Sequence, residues 1–214
     1  MKYLKTINEL LSVTDYKLPI YERSRNIDES EFLEIFKTHC QNFSFDNDQL
    51  YRLKENPGDL QVFTPMPRNA KPVAFPDFFN KIEGDPEYPV VRKNSLIGGT
   101  HLPTLKRLID HASTFYVIPF DGSELVFCPI FDLWALSDRE GKYNKRIQKI
   151  GGKDPGKEHF VKVSYDRNFK IPEEELRSIK NDYSKYGYEF FTSSPCLLIS
   201  DSKIDWLKNN IWNI

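Results

Sequence analysis

The sequence predicts an α+β domain with antiparallel strand character, and three observations predict it. Helical periodicity dominates the first 48 residues. Strand-like runs joined by irregular, proline-bearing connections dominate from residue 49 onward. Steady strand–helix alternation, which a doubly wound parallel sheet requires, does not occur.

In the first segment, Leu4, Ile7, Leu10 and Leu11 recur at helical spacing until Pro19 interrupts them. A second helix is better marked. Asp28 is a natural N-cap, Glu31 follows three residues later, and Phe32, Leu33, Ile35 and Phe36 form an apolar face. Residues 1–48 therefore read as a helical extension, and 49–214 as one compact unit.

Residues 49–53 form a short strand closed by Asn56-Pro57-Gly58. Residues 63–89 hold Pro65, Pro67, Pro72, Pro76, Pro86 and Pro89, and each proline removes a backbone donor, which excludes a long helix or central strand. The aromatics among them argue for a packed surface loop, with a short helix within 77–82. Residues 88–97 read as a strand stopped by Gly98-Gly99, and 100–109 as a helix. Residues 114–119 and 125–130 are strongly β-prone and flank Asp121-Gly122, a turn signal in a connection longer than a two-residue hairpin loop. Pro172 and Glu173-Glu174-Glu175 open a helix with acids where the helix dipole favours them. Residues 188–191 and 196–199 read as late strands, and 206–212 as a terminal amphipathic helix.

Composition narrows the functional classes. A chain of 214 residues with 39% hydrophobic and 29% charged residues buries a core of its own. Its net charge of −1 argues against a protein devoted to duplex nucleic acid, which needs a basic excess. Cys40, Cys128 and Cys196 are odd in number and far apart, so they are expected as free thiols of a cytoplasmic protein. The amino end leads into polar residues, and no apolar run reaches the length of a membrane span.

Several motifs invite chemistry. Residues 151–157 fit G-x-x-x-x-G-K, but Glu158 stands where a phosphate loop needs Ser or Thr, and the preceding 144–150 is mostly polar; a charged surface loop is expected. His39, His101, His111 and His159 show no metal-ligand spacing, so no metal is expected. Residues 139–170 are locally basic and interleaved with Tyr143, Phe160, Tyr165 and Phe169. That texture suits a solvated edge rich in lysine, with stacking on a nucleic acid as the alternative.

A dispersed constellation is sharper. Arg52, Ser95 and Glu189 each sit in a predicted strand. A guanidinium clamps a pyrophosphate, a serine hydroxyl holds a sugar hydroxyl, and a carboxylate steadies an oxocarbenium-like cation. This order of elements resembles the ADP-ribosyltransferase fold in its Arg–Ser–Glu branch, to which toxins and bacteriophage-encoded mono-ADP-ribosyltransferases belong. Tyr51-Arg52, Asn94-Ser95-Leu96 with the following helix, and Glu189 carry the resemblance, over roughly residues 49–200.

The resemblance implies a split, mostly antiparallel β core and NAD, or a related ADP-ribose compound, as substrate. It implies Glu189 and Ser95 as catalytic residues and Arg52, Tyr51, Asn94, Tyr116 and Phe127 as cofactor-binding residues. The ring that stacks on nicotinamide would be Tyr51, Tyr116 or Phe127. It also implies a host protein or nucleic acid as acceptor, and the host cytoplasm as location for a phage-encoded chain. Two departures stand out. The family's Ser-Thr-Ser is reduced to Asn94-Ser95-Leu96, and Gly187 stands where the first of two acids would be. The other reading is a non-catalytic binding protein acting on a host factor, on a degenerate version of the same fold.

Overall fold

The computed structural model describes residues 24–45, 49–54, 58–64, 95–106, 112–128, 160–177 and 187–211. Among them lie nine strands: β1 (Ser24–Asn26), β2 (Tyr51–Lys54), β3 (Leu60–Phe63), β4 (Leu96–Gly99), β5 (Ser113–Pro119), β6 (Glu124–Cys128), β7 (Val161–Ser164), β8 (Glu189–Thr192) and β9 (Cys196–Ser200). Helices α1 (Glu29–His39), α2 (Leu102–Lys106), α3 (Glu173–Arg177) and α4 (Ile204–Ile211) accompany them, with a 3-10 turn at Asp201–Lys203 leading into α4. The strands form one sheet in the order β1-β3-β9-β5-β2-β4-β8-β6-β7. Every pairing in it is antiparallel. The α+β expectation therefore stands as an open antiparallel sheet with a few helices.

The sheet bends sharply. Strands four places apart in a flat sheet lie about 19 Å apart. The stretch from the end of β8 to the start of β9 can span only about 14 Å, yet those strands are four places apart. β5 and β6 are also four places apart, and the stretch between them spans at most about 18 Å. They are not neighbours, because β2, β4 and β8 lie between them. The two crossings sit against each other: Phe120 N–H donates to the Pro195 carbonyl (3.4 Å) and Glu124 N–H to Ser194 Oγ (3.4 Å).

The bend encloses one core. Phe63, Phe115, Val117, Cys196 and Leu198 from one half of the sheet meet Leu96, Leu125, Phe127 and Phe190 from the other, and Tyr165, Phe169 and Leu176 close over them. This is the concave face. The opposite face of β3, β9 and β5 is covered by α1 and α4, whose Phe32, Ile35, Phe36, Ile204 and Leu207 pack on Leu60, Ile118, Leu197 and Ile199.

Helix α1 forms as its sequence dictates. Asp28 accepts from Glu31 N–H at 2.8 Å, Glu29 and Glu31 occupy the first turn, and Lys37 and His39 the last. Phe32 is fully buried, with the Trp206 ring edge-on at 6.0 Å. The extension expected over 1–48 thus contributes an outer strand and a core helix, while residues 1–23 lie outside the described residues. At the carboxyl end of α1, the Asp121 carboxylate accepts from Gln41 N–H (2.9 Å) and Asn42 N–H (3.1 Å), and Asp121 N–H donates to the His39 carbonyl (2.7 Å). The β5–β6 turn therefore clasps the helix end.

Some expectations need correcting. Gly98 and Gly99 do not stop β4; they are its last two residues. A methyl at Gly98 would overlap the Tyr51 carbonyl and the Phe190 ring, so glycine there lets β2 and the ring approach. Phe160, Tyr165 and Phe169, candidate stacking platforms, are buried at 8%, 0% and 7% exposure. The proline-rich loop from 65 onward, the 151–158 motif, Tyr143, His111 and His159 lie outside the described residues. The three cysteines are free and buried, and among the described residues no helix is long and apolar enough to cross a membrane.

Two measurements check this packing. Gly98→Ala should cost about 3 kcal/mol or more by overpacking, because the methyl meets backbone as well as a ring. Gly122→Ala, at φ 78° with open space around it, should cost only about 1–2 kcal/mol of backbone strain. Urea unfolding midpoints rank the pair, and equal losses would contradict the close β2–β4 approach. Asp121→Ala should remove about 1–2 kcal/mol, since both charge-assisted bonds to the α1 end go with it; an unchanged midpoint would show that the clasp contributes nothing.

Candidate functional site

Register fixes where each expected site residue points. Residues directly opposite on neighbouring strands share a face, and successive residues along a strand alternate. Tyr116 faces Tyr51, Tyr51 faces Gly99, Gly99 faces Glu189, and Glu189 faces Cys128. These five form one row across β5, β2, β4, β8 and β6. Tyr116 packs with the cluster under α1 and α4, which puts the whole row on the helix-covered side.

Arg52 belongs to the other side. Its partner is Phe115, a member of the concave core, whereas Glu189 precedes the concave-core Phe190. The guanidinium and the carboxylate thus project from opposite faces of the sheet. The concave position of Arg52 is also felt chemically. Burial pushes the Cys196 thiol far up its scale, and the positive charge of Arg52 opposes that shift without reversing it.

The remaining expected residues divide in the same way. Alternation from Leu96, a concave-core residue, turns Ser95 to the side of Glu189. It stands four residues from Gly99, about 13 Å along the strand, and is 2% exposed. Phe127 is fully buried on the concave face, 6.3 Å from the Phe169 ring and 6.1 Å from that of Phe190, so it is a core residue there. Asn94 lies outside the described residues. The structure therefore pairs Tyr51 with Tyr116 and puts Glu189 in the same row, two strands or about 10 Å beyond Tyr51. It places Ser95 on the same side at a distance, and Arg52 and Phe127 on the other.

Within the row, the Tyr51 and Tyr116 rings meet edge-on at 5.0 Å. Burial, then the neighbouring Tyr116 phenol and its hydrogen bond, push the Tyr51 hydroxyl up to about 12. Tyr51 lies between Tyr116 and Gly99, and Tyr116 between Tyr51 and Ile199. A methyl built on Gly99 would meet the Leu105 side chain at 3.2–3.3 Å, so α2 lies over the middle of the row. The row offers two phenols and a carboxylate as hydrogen-bonding groups, and its five members include no positive charge to hold a phosphate.

Two features that sequence reasoning passed over shape this region. Thr100 ties the end of β4 to the start of β8: its N–H donates to the Tyr188 carbonyl (3.0 Å) and its Oγ1 accepts from Tyr188 N–H (2.9 Å). His101 Nδ1 then meets Thr104 Oγ1 at 2.6 Å in the first turn of α2. Gly187, just before this tie, has φ 74°, and a methyl there would overlap His101. An L-residue at 187 would therefore meet both backbone strain and His101. The glycines flanking these ties were the available signal, since glycine beside or within a strand marks close approach.

Among the described residues, no group of three or more His, Cys, Asp or Glu side chains could hold a metal ion. Comparison with protein families, curated proteins and solved structures finds no match to this chain.

The Tyr51 environment sets a pH window. A folded-state value near 12 against an ordinary value of 10 means the folded chain keeps a proton that the unfolded chain has lost. The contribution to stability is complete below about pH 10 and disappears as pH rises through about 12. Tyr51→Phe should remove a component that titrates near pH 12 from the phenolate absorbance of the folded protein and flatten the alkaline fall in stability. An unchanged titration curve in that variant would contradict the assignment.

Proposed function

We propose that the protein acts by binding another protein, without the transferase chemistry of an Arg–Ser–Glu site. The observation that carries this reading is the strand parity that turns Arg52 and Glu189 to opposite faces of the sheet. A pyrophosphate clamp and a cation-stabilising carboxylate work on one dinucleotide only if both reach it, since such catalysis is positioning plus aimed charge. Glycine at 187, imposed by its backbone, supports the same reading.

Nucleic acid is the less favoured partner. The aromatics of the basic stretch that the structure describes are buried, and Lys162 is held by Glu124 at 2.5 Å. Exposed Glu173, Glu174 and Glu175 follow closely on Arg167 and Lys170, so positive charge does not accumulate among the described residues of that stretch.

Thermal melting with millimolar NAD or ADP-ribose tests the proposal. A ligand at a hundred times its Kd stabilises by about 2.7 kcal/mol, which would raise the Tm by roughly 5–10 °C in a chain this size. No rise is expected, and nicotinamide release should stay at background in both the wild type and Glu189→Ala. A clear rise with NAD, together with release that Glu189→Ala abolishes, would overturn the proposal and restore the transferase reading. Affinity for nucleic acid that falls steeply with salt would replace the protein partner. The supporting result is a defined complex with one purified partner protein, measured by calorimetry.

A further inference from the structure

We draw no further inference here: the strongest candidate, the surface groove of about 590 Å3 lined by Val163 and Ser164 of β7, Phe169, Ile171 and the acidic first turn of α3, carries nothing, because Glu173 and Glu175 are already engaged within the chain and nothing in the structure shows what covers the groove.

Discussion

Strand β9 is buried along its whole length, and the rest of the fold is arranged around that constraint. All five residues, Cys196 to Ser200, are at most 4% exposed. Cys196 and Leu198 enter the concave core, while Leu197 and Ile199 enter the core beneath α1 and α4. A strand apolar on both sides must have neighbours on both edges and cover on both faces. β3 and β5 supply the edges, the two helices supply one cover, and the folded-over sheet supplies the other. Each large apolar side chain so buried contributes about 1.5–3 kcal/mol. The short link from β8 to β9 then forces the bend that makes the concave core continuous between the two halves of the sheet.

The same constraint decides the chemistry. Once β9 fixes which face of β5 is concave, Phe115 fixes Arg52 on β2. Independently, Phe190 in that core fixes Glu189 on the other face of β8. A one-residue slip would bring the two charged groups to one side. It would also carry every buried side chain of that strand to the wrong face, which is why register is held wherever a face is buried. Moving Phe190 and its concave-core partners out of their positions costs far more than a charged ligand contact could return. The faces on which Arg52 and Glu189 lie thus follow from core packing.

Local signals were readable in the sequence. Asp28 with Glu31 marked the start of α1, and its apolar spacing marked the buried face. The β-branched and aromatic runs at 114–119, 188–191 and 196–199 marked β5, β8 and β9. What was not readable is non-local. The turn at Asp121-Gly122 marked a reversal between β5 and β6, but a turn reports a change of direction and says nothing of which strand is captured next. Gly98-Gly99 looked like a stop because close approach by the Tyr51 backbone and the Phe190 ring exists only after β2 and β8 have docked. Phe160, Tyr165 and Phe169 left a stacking surface open as an alternative because their basic neighbours are polar, whereas the side chains themselves are buried. For the candidate site, chain order was visible but face was not. Parity along one strand can be read from alternation, but parity between strands requires the register.

Gly187 joins these strands of reasoning. An Arg–Ser–Glu enzyme with a second acid needs a side chain two residues before Glu189. Here the chain enters β8 through a left-handed residue, immediately before Tyr188 exchanges hydrogen bonds with Thr100. That exchange locks the end of β4, and with it the start of α2, against β8. His101, at the head of α2, fills the space a side chain at 187 would need. The residue that seats α2 over the Tyr116–Tyr51–Gly99–Glu189 row is therefore the one that denies the row a second carboxylate. Glycine at this position lets the β4–α2 junction close against the start of β8.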